Sequence, residues 1–529
     1  MTLQEKPKTE FDGWVHALAL LAVAVRLFFW HYTNRTWEDA LITLQHAENA
    51  ARGLGLTHDP GLGRVHGFTS PISVLVPLVA ELLHRGSGLM VQKAASAIAG
   101  GVCVYIGARI VRRLELPSYM ALLVCGYLAF EHQQILFGMA GMESQLVVMI
   151  LLFSIYTLFD LRPILVGVGL GLCMLARPDF LFWVAIVLAL LTWKCWRLRS
   201  FRPLAIVMGC LAAIYGPWVA FTTWYYGSPI PNTILAKEFG YPNRWFADMS
   251  PFAIVIKTVS RVFHLVFGGL GPAFAGNGTG FESLGDHYLI CLAMLLFLLP
   301  CVASVIRSRD LPRVAIVFFV ITYALYYLFL MNFVFGWYTV PLAAVTILAI
   351  AIGLEGVLKR IFHGRVQKRA GYAVVIAYLA IIVAVLPIAF RGDRHVQEYV
   401  EDGLREPIGL YLGAVMGPSQ TVGAESLGYF GYYSRREVID YPGLSNPAAV
   451  RFLRDHPDKR TLIDELNHFR PDYLVLRPIE YAKGLSEGNL WLQNDYQVLF
   501  DDSVPPNDIQ LMLHPKSSLD TEFLVLRRK

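Results

Sequence analysis

The sequence predicts an α-helical polytopic membrane protein of about eleven transmembrane helices, followed by a soluble α/β domain at the C-terminal end. Three observations carry this reading. The 529 residues are 55% hydrophobic and only 16% charged, with a mean hydropathy of +0.49, whereas a soluble domain is about one quarter charged. The apolar residues gather in blocks of roughly 18–22, long enough as helix to cross a hydrocarbon core of about 30 Å. Short basic clusters separate the blocks: Arg109, Arg112 and Arg113; Lys194, Arg197, Arg199 and Arg202; Arg307, Arg309 and Arg313; and Lys359, Arg360, Arg365, Lys368 and Arg369. This is the pattern of cytoplasmic loops. The net charge of +5 is thus spread over separate loops, which excludes nucleic acid as a partner.

The elements follow in order. Trp14 to Tyr32 ends in Phe28-Phe29-Trp30-His31-Tyr32, an aromatic interface belt rather than a small-residue cleavage site, so it reads as the first span and not as a signal peptide. A hydrophilic stretch, 33–70, precedes a short apolar piece, Pro71 to Leu83, whose length suits a re-entrant or interfacial helix. Glu81 within it and Lys93 beyond it are expected to pair. The remaining spans are expected at 90–110, 118–132, 144–160, 163–176, 179–193, 203–225, 288–306, 314–331, 338–358 and 370–390. In Pro251 to Leu270, Lys257, Arg261 and His264 recur at i, i+4 and i+7, which marks an amphipathic helix in the outer interface. This count places the N-terminus in the cytoplasm and the C-terminal domain outside.

Residues 1–390 form the expected membrane module. Residues 391–529 are charged, carry Pro and Gly turns and hold no spanning block. Their β-rich runs Tyr473–Leu476 and Phe523–Leu526 alternate with helical stretches such as Ala448–Asp455. The seven cysteines all lie in or beside apolar blocks, with no metal-ligand or disulfide spacing. No nucleotide or dinucleotide loop is found. No cofactor is called for, and no tight metal site is read, although an ion bridging the acids and a phosphate stays open.

The strongest local signal is Glu38-Asp39, just outside the first span. A carboxylate there can accept a proton from a hydroxyl that attacks a cation-like anomeric carbon. Acids also favour a helix first turn for structural reasons, so the surroundings decide. Glu38-Asp39-Ala40 leads through His46 and Gly53-Leu54-Gly55 to Asp59-Pro60-Gly61 and His66-Gly67-Phe68-Thr69-Ser70. Gly141-Met142-Glu143-Ser144, Ala176-Arg177-Pro178-Asp179, Tyr226-Gly227-Ser228-Pro229-Ile230-Pro231-Asn232-Thr233 with Lys237, and Asp440-Tyr441-Pro442-Gly443-Leu444 follow. Together these resemble the GT-C superfamily of membrane glycosyltransferases, and most of all the branch of mycobacterial cell-wall arabinofuranosyltransferases that add terminal residues.

The resemblance implies a decaprenyl-phosphate-sugar type of donor, a glycan, lipid or protein acceptor, inversion at the anomeric carbon and an outer-face site in a bacterial plasma membrane. That branch commonly has Asp-Asp where this chain has Glu38-Asp39, which leaves open which acid is the base; Asp39 is favoured. Arg177, Lys237 and Arg261 are candidates for the donor phosphate, Arg as a fork and Lys as a point charge. Glu143, Asp179, Asn232 and His66 are candidates for substrate contacts, with Tyr226, Trp337 and Tyr338 as stacking or interface aromatics. A flippase or transporter of lipid-linked sugars is the alternative. Transporters place polar groups near the bilayer midplane, whereas here the acids gather at one surface.

Overall fold

The structure is a computed structural model that describes residues 13–241, 250–267, 270, 300–303, 310–329, 331, 334–511 and 520–529. Among these, eight helical stretches are long and apolar enough to cross a membrane. They are α1 (Gly13–Thr33), α4 (Gly88–Arg113), the pair α5 (Ser118–Phe130) and α6 (His132–Met139), α9 (Leu181–Arg197), α10 (Arg202–Tyr226), α13 (Leu311–Phe329), α14 (Gly336–Ile361) and α15 (Gly364–His395). The expected spans at 144–160 and 163–176 appear as shorter apolar helices, α7 (Ser144–Thr157) and α8 (Pro163–Ala176). The span expected at 288–306 lies largely outside the described residues.

Local chemistry sets the boundaries. Pro71 and Pro163 each start a helix at a position where the missing N–H costs nothing. The span expected at 118–132 breaks at Glu131, whose carboxylate accepts from Gln133 N and Gln134 N, both at 2.9 Å, and so caps a new helix. α3 (Pro71–Leu83) has 13 residues, about 20 Å of helix, short of the bilayer core as its sequence suggests. The expected Glu81–Lys93 pair does not form. Glu81 accepts from the backbone of Gly86 and Gly88, while Lys93 donates to Arg35 O at 2.9 Å and to Thr36 Oγ1 at 3.1 Å.

α14 is the centre of the membrane module. It is almost wholly buried, from Trp337 to Leu354, among α5, α7 and α13. Two elements lie beside the bundle rather than in it. α2 (Glu38–Ala51) follows the first span, and α11 (Asn232–Gly240) follows α10, which ends on Gly227 in the left-handed region at φ 77°. The amphipathic stretch forms α12 (Pro251–Phe267), with Phe252, Val255 and Ile256 exposed.

The composition changes at residue 391, but the helix does not stop there. α15 runs on through a π-helical segment, Val396–Arg405, into α16 (Glu406–Val415). The tail then forms one sheet from β1 (Thr421–Ala424), β2 (Glu437–Asp440), β3 (Tyr473–Leu476), β4 (Tyr496–Ser503) and β5 (Glu522–Arg528), in the order β2-β1-β3-β5-β4. β1 pairs parallel with β2 and β3, and β5 pairs antiparallel with β3 and β4. The two predicted β-rich runs are β3 and β5. The segment that follows β2 packs against α11, where Tyr441 Oη donates to Gly240 O.

Candidate functional site

The site is assembled from loops that buried hydrogen bonds fix to one another. Trp37 N donates to Ala140 O at 2.8 Å, which brings the start of α2 beside the Gly141–Ser144 turn. Lys93, buried on α4, holds the Arg35 carbonyl and the Thr36 hydroxyl. Ser70 Oγ donates to Ala176 O at 2.7 Å, tying the Gly67–Ser70 segment to Arg177. Asn232 N donates to His66 O, and the Asn232 side-chain amide donates to Gly443 O at 2.7 Å and Leu444 O at 3.0 Å. Four distant stretches of chain, and the tail domain with them, therefore meet around one space.

That space is a cavity lined by Asp39, Thr43, Glu143, Arg177, Lys237 and Tyr338, with Gly67, Trp337 and Leu444 also in its wall. Beside it runs a largely apolar groove lined by Leu181, Phe182, Ile234, Tyr326, Met331 and Phe335. Thr69, Arg177, Lys237 and Tyr338 belong to both. The cations thus stand where an acidic chamber opens onto an oily one.

Each cation is held in place. Arg177 Nε donates to Asp179 Oδ1 at 3.0 Å, and its guanidinium lies 4.5 Å from the centre of the Tyr338 ring. Asp179 Oδ2 also accepts from Tyr323 Oη at 2.7 Å and Tyr327 Oη at 2.6 Å. Lys237 Nζ donates to Tyr338 Oη at 2.9 Å. Burial acts to lower the Lys237 ammonium, but Tyr338 and Asp39 outweigh it and hold it above its ordinary value. Burial raises the Asp39 carboxyl above the usual carboxylate range, with Lys237 opposing and Glu425 adding to the rise.

The two adjacent acids face different ways, as successive residues about 100° apart on a helix must. Asp39 points into the cavity with Thr43 one turn on. Glu38 instead meets the tail: its Oε1 accepts from Gly428 N at 3.1 Å and its Oε2 lies 3.4 Å from Arg405. Arg405 also pairs with Glu401 at 3.1 Å and Asp520 at 3.0 Å, and Glu401 pairs with Arg35 at 2.9 Å. Glu48, on the same side of α2, takes Tyr432 at 2.6 Å and Arg435 at 2.7 Å. One face of α2 therefore serves the cavity and the other docks the domain.

Burial raises Glu38 to about 8, with Arg405 opposing. A carboxyl that holds its proton more tightly in the folded state loses its stabilising contribution as pH rises from the unfolded value of about 4.3. Melting curves should thus show a stability term that fades toward pH 8, present in the wild type and absent from Glu38→Gln. Because Gln resembles the neutral acid, Glu38→Gln should keep transfer within about tenfold of wild type; a dead variant would put Glu38 back among the reacting groups.

The other sequence candidates divide cleanly. Glu143, Arg177, Lys237, Trp337 and Tyr338 line the cavity, and Asp179 lines the groove. Asn232 clamps the wall. His66 and Tyr226 stack on each other behind it, with ring centres 4.6 Å apart. The ion pair of Arg177 is with Asp179 rather than Glu143. Arg261 on α12 donates to Tyr327 O at 2.9 Å and Met331 O at 2.8 Å, the carbonyl end of α13, and lines neither chamber. Thr43, Thr69, Met142 and Leu444 are cavity residues that were not singled out. The signal for Thr43 was its i+4 spacing from Asp39. Among the described residues, no group of three or more His, Cys, Asp or Glu is placed to hold a metal ion.

Comparison with known proteins bears on the fold. A family model described as a domain of unknown function, DUF8728, matches residues 392–516. No curated protein matches the sequence. Among solved structures, the chain is similar to ArnT from Cupriavidus metallidurans bound to undecaprenyl phosphate, at 12% identity over 98% of each chain and a TM-score of 0.55. It is also similar to the Archaeoglobus fulgidus oligosaccharyltransferase in complex with Zn and sulfate, at 13% identity over 93% of this chain and 72% of that one, with a TM-score of 0.55. The fold is the GT-C fold that the sequence motifs imply.

Proposed function

We propose that this chain is a membrane glycosyltransferase that takes a sugar from a polyprenyl-phosphate carrier and adds it to a hydroxyl of an extracytoplasmic glycan, lipid or protein. The observation that carries the reading is the position of Arg177 and Lys237 at the junction of the carboxylate-bearing cavity and the apolar groove. A lipid-linked sugar phosphate has the same three parts in the same order. Its isoprenoid lies along Leu181, Phe182, Ile234 and Phe335, its phosphate sits between the two cations, and its sugar enters the cavity. The bound undecaprenyl phosphate of the ArnT structure, which shares this fold, is a lipid of that class.

In the proposed reaction Asp39 accepts the proton of the acceptor hydroxyl. The freed oxygen attacks the anomeric carbon from the face opposite the phosphate, and the bond from that carbon to the phosphate oxygen breaks with its electron pair. Charge builds on the leaving phosphate, where Lys237 and Arg177 meet it at no reorganisation cost. The configuration inverts, because there is one displacement. Arabinofuranose as the transferred sugar follows from the motif resemblance alone. The test is transfer by the purified, lipid-reconstituted chain from a panel of radiolabelled polyprenyl-phosphate pentoses and hexoses; no transfer from any of them would reject the reading.

The reading places the cavity outside a bacterial plasma membrane, with the N-terminus in the cytoplasm and the tail outside. A periplasmic phosphatase reporter fused after residue 529 should be active, and one inserted at residue 363, between α14 and α15, should be inactive. The opposite pattern would turn the site to the cytoplasm.

A further inference from the structure

A second polar cavity opens where α1 and α15 leave the bilayer together, on the same side as the candidate site. The two helices meet through Phe29 and Phe390, whose ring centres are 4.8 Å apart. Just beyond this contact they enclose about 540 Å³, within the range of about 300–1,000 Å³ usual for small-ligand sites. Phe28, Tyr32, Arg394, Gln397, Glu398 and Asp402 line the space. None of them lines the carboxylate-bearing cavity or the apolar groove, so the proposed transfer leaves this cavity unused.

The lining changes with distance from the bilayer. Phe28 is 57% exposed on the flank of a span and stacks on Tyr32 with ring centres 5.7 Å apart; both belong to the aromatic belt of a membrane boundary. The Arg394 guanidinium lies 5.1 Å from the centre of the Tyr32 ring. Glu398 follows one turn along the same helix, 3.5 Å from Arg394, and Asp402 stands further out again. Asp402 Oδ1 accepts from Gln397 Nε2 at 2.6 Å, and among the described residues no cation pairs with Asp402 within 4 Å. The order away from the bilayer is therefore aromatic ring, cation, acid, acid. Two acids share one permanent cation.

A phospholipid at the boundary presents its parts in the matching order, with the acyl chain first, then the phosphate, then the amine. We propose that this cavity binds the headgroup of an aminophospholipid, a phosphatidylethanolamine. Its phosphate sits on Arg394, its primary ammonium on Glu398 and Asp402, and an acyl chain against Phe28. A primary ammonium carries three N–H donors for these acids. A choline ammonium carries none, and the aromatic face that would attract it is already covered by Arg394. An anionic glycerol headgroup would bring a phosphate with no cation to meet the two acids. The lipid bears on the rest of the fold through Gln397, whose Oε1 accepts from Thr36 N at 2.9 Å and from Arg35 at 3.1 Å. Those residues lead into α2.

Native mass spectrometry of the full chain tests the site, after exchange into phosphatidylethanolamine, phosphatidylcholine or phosphatidylglycerol of identical acyl chains. Wild type should retain one phosphatidylethanolamine about tenfold better than either other lipid, the lower end of what charge-assisted hydrogen bonds contribute. The double variant Glu398→Gln/Asp402→Asn should hold phosphatidylethanolamine no better than phosphatidylcholine. Arg394→Gln should weaken both, because both carry the phosphate. Arg394 and Glu398 are about half exposed, so melting temperatures should stay near wild type and separate lost binding from lost folding. Soluble glycerophosphoethanolamine should not displace the lipid, since it lacks the acyl chain. The proposal is overturned if wild type retains the three lipids equally or prefers phosphatidylglycerol. It is overturned as well if the double variant keeps the wild-type preference, if Arg394→Gln binds every lipid as before, or if the soluble headgroup competes at equal concentration.

Discussion

Asp39→Asn should reduce transfer by about 100- to 10,000-fold, the usual loss when a positioned base is removed. The amide is nearly isosteric, and Asp39 makes no ion pair within 4 Å among the described residues, so expression, melting temperature and donor affinity should stay close to wild type. The effect belongs in kcat, because proton acceptance matters only as the acceptor oxygen attacks. Wild type should also show an acid limb in kcat/KM. Burial raises the Asp39 carboxyl, and a base acts only when deprotonated. Activity should therefore fall with decreasing pH at a value above the ordinary aspartate pKa of about 3.9. Wild-type turnover by Asp39→Asn would remove the base from the mechanism. A loss confined to donor KM would move Asp39 to the binding side.

Lys237→Met should raise the donor dissociation constant by about 10- to 100-fold, as expected for losing a charge-assisted bond to phosphate. The thioether retains most of the volume against Phe335 and Tyr338, so folding should be little affected. The tyrosine that loses its partner keeps its contact with Arg177. Binding of a spin-labelled or fluorescent polyprenyl phosphate, with no sugar attached, isolates this step from chemistry. Unchanged affinity would place the phosphate elsewhere. Arg177→Ala is a poorer probe than the sequence suggests. Asp179 is buried and takes Arg177 as its ion-pair partner, and stripping one partner from a buried pair costs about 3–5 kcal/mol. A loss of activity there would mix binding with folding.

The membrane part was legible because its signals are one-dimensional. Apolar length and the placement of basic loops located α1, α4, α9, α10, α13, α14 and α15 within a few residues. The break at Glu131 was not legible, since it depends on one carboxylate turning back to cap its own downstream backbone. The candidate site was legible where motif and spacing coincide. Asp39, Glu143, Arg177, Lys237 and Tyr338 converge from segments that the motifs had marked. His66, Tyr226 and Asn232 sit in equally marked segments but build the wall. Distinguishing a wall residue from a lining residue requires knowing which way a side chain points, and no spacing rule gives that in a loop. Arg261 was assigned by charge alone, and in three dimensions the carbonyl end of α13 takes it.

The uninterrupted helix from α15 into α16 makes the distance between bilayer and tail a matter of screw geometry. A flexible tether would let the domain find its seat whatever the tether length. A helix does not: one residue inserted in the α-helical part of α15, well before the π-helical segment, advances everything beyond it by about 1.5 Å and turns it by about 100°. The tail would then arrive with Arg405 facing away from Glu38, and with Leu444 swung out of the cavity wall. Insertions there should be tolerated only in steps close to whole turns, and even those lift the seat by about 5.4 Å. Helix length is thus a gauge that the tail must match, so exchanging tails between such proteins requires cutting at the same helical phase.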